Sequence, residues 1–171
     1  MALSAPEPLN ATHDLSQFFC GKPALDNWLR VRALFNQDKG FTVVMVVHDL
    51  GHVVGYYGLA PTAVLPTMMP RPLRTGHPPN PVPCLLLGQL AADLEWLGHG
   101  IGTGLLRHAL IRCVRGSRLI GGRALFVNAI DWQAAGFWQK RGFLPSKDDP
   151  LTLFRPMADI AASLRAAGIE L

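Results

Sequence analysis

Charge is scarce in this sequence: only 16% of its 171 residues are Asp, Glu, Lys or Arg, while 49% are apolar. A chain of that balance can bury a core, which excludes a disordered class. Cysteine is scarcer still. Cys20, Cys84 and Cys113 are far apart and carry no metal-ligand spacing, so neither a disulfide framework nor a cysteine metal module is expected. Such scattered thiols suit a reducing cytoplasm and buried, inert side chains. No apolar run is long enough to cross a bilayer, residues 41–47 and 82–92 being too short or interrupted. The opening MALSAPEPLN has no charged start followed by an apolar stretch, so no secretory leader is expected. Tyrosine is limited to the adjacent pair Tyr56 and Tyr57.

What is present has a clear order. Its length fits one domain, residues 1–171. Residues 23–37 read as a helix opened by Pro23, with Leu25, Trp28, Leu29 and Phe35 at helical intervals. Residues 41–47 and 53–60 read as a hairpin around Asp49-Leu50-Gly51. Residues 61–83 are proline-rich and read as a long irregular connection. A strand over 83–92 runs into a glycine-rich turn, and a helix over 101–115 follows, with Gly116 as its stop. Then come a strand over 124–129, a helix capped by Asp131 and ended by Gly142, a strand over 151–154 and a C-terminal helix over 157–167. The class is mixed α/β with one sheet and no repeat.

The chemistry concentrates in the turn Leu97-Gly98-His99-Gly100-Ile101-Gly102-Thr103-Gly104. Residues without Cβ let the main chain approach a ligand closely. The unpaired N–H groups of a first helical turn, aided by the helix dipole, favour an anion, and a pyrophosphate is the natural occupant. No Lys-Ser/Thr follows the glycines, so this is not a P-loop. A hairpin and a helix precede the turn, which fits a dinucleotide fold poorly. The net charge is +4, with Arg107, Arg112, Arg115, Arg118 and Arg123 close together. They form either a solvated helix face or an attraction for the phosphates of a nucleotide or of RNA.

On these residues the chain resembles the GNAT acetyltransferases, whose Gln/Arg-x-x-Gly-x-Gly/Ala pattern falls on Leu97-Gly98-His99-Gly100-Ile101-Gly102. It is similar in particular to the TacT-like toxin branch. The stretches FFCGKPALDNWLRVRALFNQ, VVGYYGLAP, LLLGQLAADLEWLGHGIGTGLL, ALFVNAIDWQAAGFWQKRGF and DPLTLFRPMADI carry that resemblance along most of the chain. It implies a central, mostly antiparallel sheet with splayed strands, flanked by helices. It also implies that acetyl-CoA lies where the strand over 83–92 splays from the strand over 124–129. Leu90, Ala91 and Ala92 would line the pantetheine arm, and Leu97, Gly98, His99, Gly100, Ile101, Gly102 and Thr103 the pyrophosphate. Asn128 and Phe137 would complete the cofactor site, with Asn128 also near the reacting group.

The reaction implied is transfer of acetyl to the α-amine of aminoacyl-tRNA, which blocks translation. The tRNA would be held by basic side chains such as Arg30, Arg32, Arg107 and Lys140. A ribbon-helix-helix antitoxin is implied as partner, with operator DNA reached through it, and a homodimer is common in this branch. Neither a metal nor a membrane is implied. Two alternatives stay open: a CoA-binding protein with little catalysis that acts through its antitoxin, and an acetyltransferase for a small amine or a protein amine.

Two positions depart from the family. Leu97 replaces the usual Gln or Arg beside the phosphates. Trp138, in Phe137-Trp138-Gln139-Lys140-Arg141-Gly142-Phe143, occupies the catalytic position where the family has a tyrosine that protonates the leaving thiolate. An indole N–H donates a hydrogen bond but does not give up its proton near neutral pH. His99 and His108 are the other groups considered as proton donors.

Overall fold

The computed structural model describes residues 2–171. The strands are β1 (Glu7–Pro8), β2 (Val43–Asp49), β3 (His52–Val64), β4 (Val82–Ala92), β5 (Ala124–Asn128), β6 (Leu144–Pro145) and β7 (Thr152–Pro156). They form one seven-stranded sheet in the order β1-β2-β3-β4-β5-β7-β6. The pairs β1–β2, β2–β3, β5–β7 and β6–β7 are antiparallel, and β4–β5 is parallel. The helices are α1 (Pro23–Asn27), α2 (Leu34–Asp38), α3 (Ile101–Ile120), α4 (Trp132–Gln139) and α5 (Met157–Ala166). Between α1 and α2, residues Trp28–Ala33 continue the helix with a wider turn. No described helix is long and apolar enough to cross a membrane.

The chain divides into two compact units. The first contains the residues up to Ala60 together with Leu87–Ala109, and the second contains Pro61–Leu86 and Leu110–Leu171. In the first, Leu9, Phe18, Leu29, Ala33, Val44, Val46, Val53, Tyr56 and Ala91 make the core under the first helix. Leu29 and Ala33, four residues apart, share the buried side of that helix, as the sequence spacing requires. Burial of a Phe or Leu of this kind contributes about 1.5–3 kcal/mol. In the second, Val64, Met69, Leu73, Val82, Cys84, Ala124 and Phe154 pack together.

Local chemistry explains most boundaries. Leu50 (φ 49°) and Gly51 (φ 90°) both take positive φ, the conformation a tight two-residue hairpin needs. Asp131 accepts the Ala134 N–H at 2.8 Å and opens α4, while Gly142 at φ 87° closes it with Phe143 N–H on Trp138 C=O at 3.2 Å. Gly116, in contrast, does not stop α3. Its backbone stays helical, and the helix runs on to Ile120, where Gly121 and Gly122 at φ 88° and 135° end it. The hairpin's second strand also continues past residue 60 to Val64, taking the start of the proline-rich stretch into the sheet.

β1 and β6 are two-residue strands that hydrophobic alternation does not reveal. β1 is fixed by side chains as well as by pairing. Glu7 Oε1 accepts from His13 Nε2 at 2.8 Å and from His48 Nε2 at 2.7 Å. The Nδ1 atoms of those rings accept the Asn10 and Gly51 N–H groups, each at 3.0 Å.

Candidate acetyl-donor site

In the first unit, β4 ends at Ala92 and Asp93 turns the chain. Asp93 is buried and accepts from Phe19 N–H at 3.0 Å and Glu95 N–H at 2.9 Å, while its own N–H goes to Val54 C=O at 2.8 Å. A short turn over Leu94–Trp96 then delivers the chain to the glycines. Gly98 (φ 83°) and Gly100 (φ 73°) both have left-handed φ, which a side chain at either position would strain. A Cβ built at Gly98, Gly100, Gly102 or Gly104 meets nothing within 4 Å. These glycines face open space, not a packed neighbour.

Among the described residues, the N–H groups of Gly98, Gly100, Ile101, Gly102 and Thr103 have no protein acceptor, and helical bonding resumes with Gly104 N–H on Gly100 C=O at 2.9 Å. His99 differs. Its N–H is spent on Trp96 C=O at 3.3 Å, and its ring Nδ1 lies 3.0 Å from Trp96 C=O and 3.2 Å from Leu97 C=O. The donor set is therefore the glycines and the first helical turn, with the exposed His99 bonded back to its own turn. Leu97 is 68% exposed and offers no polar atom from its side chain.

α3 stands against β3 because Gly55 has no side chain: a Cβ there would lie 2.5 Å from Ile101 Cγ2 and 2.8 Å from Leu105 Cδ1. β4 has only two registered pairs with β5, Leu85↔Leu125 and Leu86↔Phe126, and it continues six residues beyond them. Leu90, Ala91 and Ala92 lie in that continuation.

In the second unit, Asn128 ends β5 with its side chain exposed, and its Oδ1 accepts from Thr152 Oγ1 at 3.2 Å. Its amide NH₂ has no partner among the described residues. Trp138 is buried between Phe137 and Phe143, with ring centroids 5.0 Å away in both pairs. The face of Phe137 is covered by Arg141, whose guanidinium stands 3.6 Å over the ring and donates to Phe137 C=O at 3.0 Å.

Both tyrosine hydroxyls are engaged. The Tyr56 hydroxyl donates to Leu25 C=O at 2.7 Å, and burial, helped by the nearby Cys20 and Asp26, pushes its pKa far above the ordinary value. Tyr57 is fully buried with its hydroxyl 2.7 Å from His108 Nδ1, so both groups are engaged with each other inside the first unit. The thiols offer no alternative, because burial raises Cys20 and Cys84 to about 11 and Cys113 to about 12. The inertness expected of the cysteines follows from this.

The basic residues differ in their freedom. Arg30 is tied down, its guanidinium donating to Phe18 C=O at 2.7 Å. Arg32 is exposed and lines a shallow hollow of about 270 Å³ with Ala24, Asn27, Trp28 and Val31. Arg107 and Lys140 are exposed. Gln89 escapes a reading based on motifs, although a lone amide in the apolar run of β4 was a visible signal.

Residues 9–143 match the model of the Acetyltransferase (GNAT) family. A tRNA-acetylating toxin of Mycobacterium tuberculosis (strain ATCC 25618 / H37Rv) is 40% identical over 159 residues, 93% of this chain and 95% of the relative. The structure of AtaT complexed with acetyl-methionyl-tRNAfMet superposes with a TM-score of 0.85 at 26% identity, covering 95% of this chain and 99% of that one. A mutant AtaT toxin bound to the C-terminus of the antitoxin AtaR and to acetyl-CoA gives 0.80 at 27% identity, covering 96% and 99%. With a family match over most of its length and a relative 40% identical, this chain belongs to the GNAT acetyltransferases.

Proposed function

We propose that this chain is an N-acetyltransferase toxin that moves the acetyl group of acetyl-CoA to the α-amine of aminoacyl-tRNA and so blocks translation. The observation that carries the reading is the set of unengaged N–H donors at Gly98 and Gly100–Thr103, on a chain 40% identical to a tRNA-acetylating toxin over nearly its whole length. These donors fit a diphosphate: several N–H groups converge at a helix start, with no side chain in the way. The bound coenzyme supplies an acyl group on a thiol, which is a tolerable leaving group because thiol pKa values lie only slightly above neutrality.

The protein's own part is to bind and orient. The main chain of Leu90 and Ala92 pairs with the pantetheine arm as an added strand does, and Ala91 keeps β4 anchored in the core. Asn128, with its unengaged amide, and Phe137 are the further cofactor contacts in this reading. Arg32, Arg107 and Lys140 attract the tRNA backbone, while Arg30 first serves to hold Phe18. The amine attacks the acyl carbon, the C–S bond breaks, the thiolate leaves, and solvent takes the amine's proton. Trp138 provides packing at a position where no side-chain proton is available. That feature favours a slow version of the same enzyme, because a missing general acid costs about 10²–10⁴ in rate. The expected setting is a homodimer in the cytoplasm with a ribbon-helix-helix antitoxin that brings it to operator DNA.

The test is incubation with acetyl-labelled coenzyme A and a charged tRNA pool. Label is expected on the aminoacyl group. Absence of label at high protein, or preference for free polyamines, would overturn the assignment.

A further inference from the structure

β4 reads VPCLLLGQLAA, and Gln89 is its single polar side chain. Strand alternation puts it on the same face as Ala91, which belongs to the core under the first helix. Its Oε1 is buried and has no hydrogen-bond partner. A Cβ built at Gly58 would lie 2.6 Å from that oxygen, 3.1 Å from Thr42 Cγ2 and 3.5 Å from Trp28 Cη2. With no side chain at Gly58, the Gln89 carboxamide packs close against that residue, beside the Trp28 ring edge and the Thr42 methyl group, and its oxygen meets no donor there. Two donors of the same unit are spent elsewhere, Tyr56 on Leu25 and Arg30 on Phe18.

A buried acceptor without a donor destabilises the fold, and its persistence calls for a donor that arrives from outside. The sequence order says which one. With the pyrophosphate at Gly98–Gly102 and the arm running back along β4 from Ala92 to Leu90, the acyl end falls next to Gln89. The acceptor amine must come to that end.

We propose that Gln89 Oε1 accepts an N–H from the free α-amine of the aminoacyl acceptor, making Gln89 a positioning residue for the nucleophile. This rests on the aminoacyl-tRNA reading given above. A carboxamide suits the task because it orients an amine through one hydrogen bond and takes no proton from it. A carboxylate there would hold the amine as ammonium, which cannot attack. After transfer the nitrogen carries a bulky acyl group and a single N–H, so the contact weakens and the product leaves.

The experiment compares native protein with Gln89→Met, which keeps length and removes the acceptor, and Gln89→Glu, which keeps an acceptor and adds charge. Gln89→Met is expected to lower kcat/KM for aminoacyl-tRNA roughly tenfold, the loss of about one hydrogen bond to a polar donor. Affinity for coenzyme A should stay within twofold of native, and the melting temperature should hold or rise as the orphan oxygen goes. Gln89→Glu is expected to retain activity at high pH, with its pH–rate profile displaced upward. A Gln89→Met protein with unchanged kcat/KM, or one that loses coenzyme A binding in equal measure, overturns the role. A Gln89→Glu profile identical to native does the same. Native protein that labels no aminoacyl-tRNA brings down the substrate reading and this role together, whereas active native protein with an indifferent Gln89→Met removes the role alone.

Discussion

The turn Gly98–Gly102 and the segment Phe137–Phe143 are both family landmarks, yet substitution affects them differently. At the turn the proposed binding rests on main-chain N–H groups, with no side chain at the glycines to interfere. Leu97 therefore removes one polar hold and leaves five donors in place. In the second segment the resemblance places the chemistry on one side chain, a phenol, and Trp138 has none to offer. Packing survives there, because an indole fills an aromatic slot between Phe137 and Phe143 as well as a phenol does. Binding built on backbone tolerates sequence drift, and proton transfer built on a single side chain does not.

The largest test of that contrast is Trp138→Tyr. Restoring a phenol at this position is expected to raise kcat by about 10²-fold or more, with a new alkaline limb where the phenol ionises. Unchanged kcat would mean that thiolate departure never needed an acid. Next is Gly100→Val, which forces a β-branched residue to φ 73°. Strain of about 1–3 kcal/mol and a side chain beside the donors should weaken coenzyme A binding at least tenfold by calorimetry. A normal affinity would show that the turn does not hold the phosphates.

Leu97→Arg should have a smaller effect. An exposed cation near the phosphates is expected to tighten coenzyme A two- to fivefold at low salt and to lose that gain as salt is raised. The smallest concerns Glu7, away from both landmarks. Hydrogen bonds from His13, then His48, hold its carboxyl below its ordinary value of 4.5. A depressed carboxylate stabilises the fold above that ordinary value and loses the contribution as pH falls through its lowered one. Native protein should thus melt higher than Glu7→Gln at pH 7, and the gap should close as pH falls below 4.5.

Much of this was legible before any coordinates. The turn stood out because four alternating glycines follow a strand and open a helix, and the structure has that strand and that helix on either side of it. Asp131 and Gly142 marked α4 because capping is local chemistry. Gly116 misled, since a glycine inside a long amphipathic helix costs only about 1 kcal/mol and the packing of Cys113 and Val114 outweighs it. β1 and β6 were invisible because two residues carry no periodicity. The tether on Arg30 and the orphan oxygen of Gln89 depend on which partners the fold brings near, and no local pattern encodes them.

The two rings that meet Glu7 have a consequence for metal chemistry. Each gives its Nδ1 lone pair to a main-chain amide, so the hydrogen of the neutral ring resides on the Nε2 that faces the carboxylate. Two histidines and an acid within ligand distance of one another resemble a divalent-ion trap. An arriving zinc or nickel ion would instead find hydrogens where it needs lone pairs, and could bind only after both rings gave up their amide contacts. Chelators should accordingly leave the melting curve where it was.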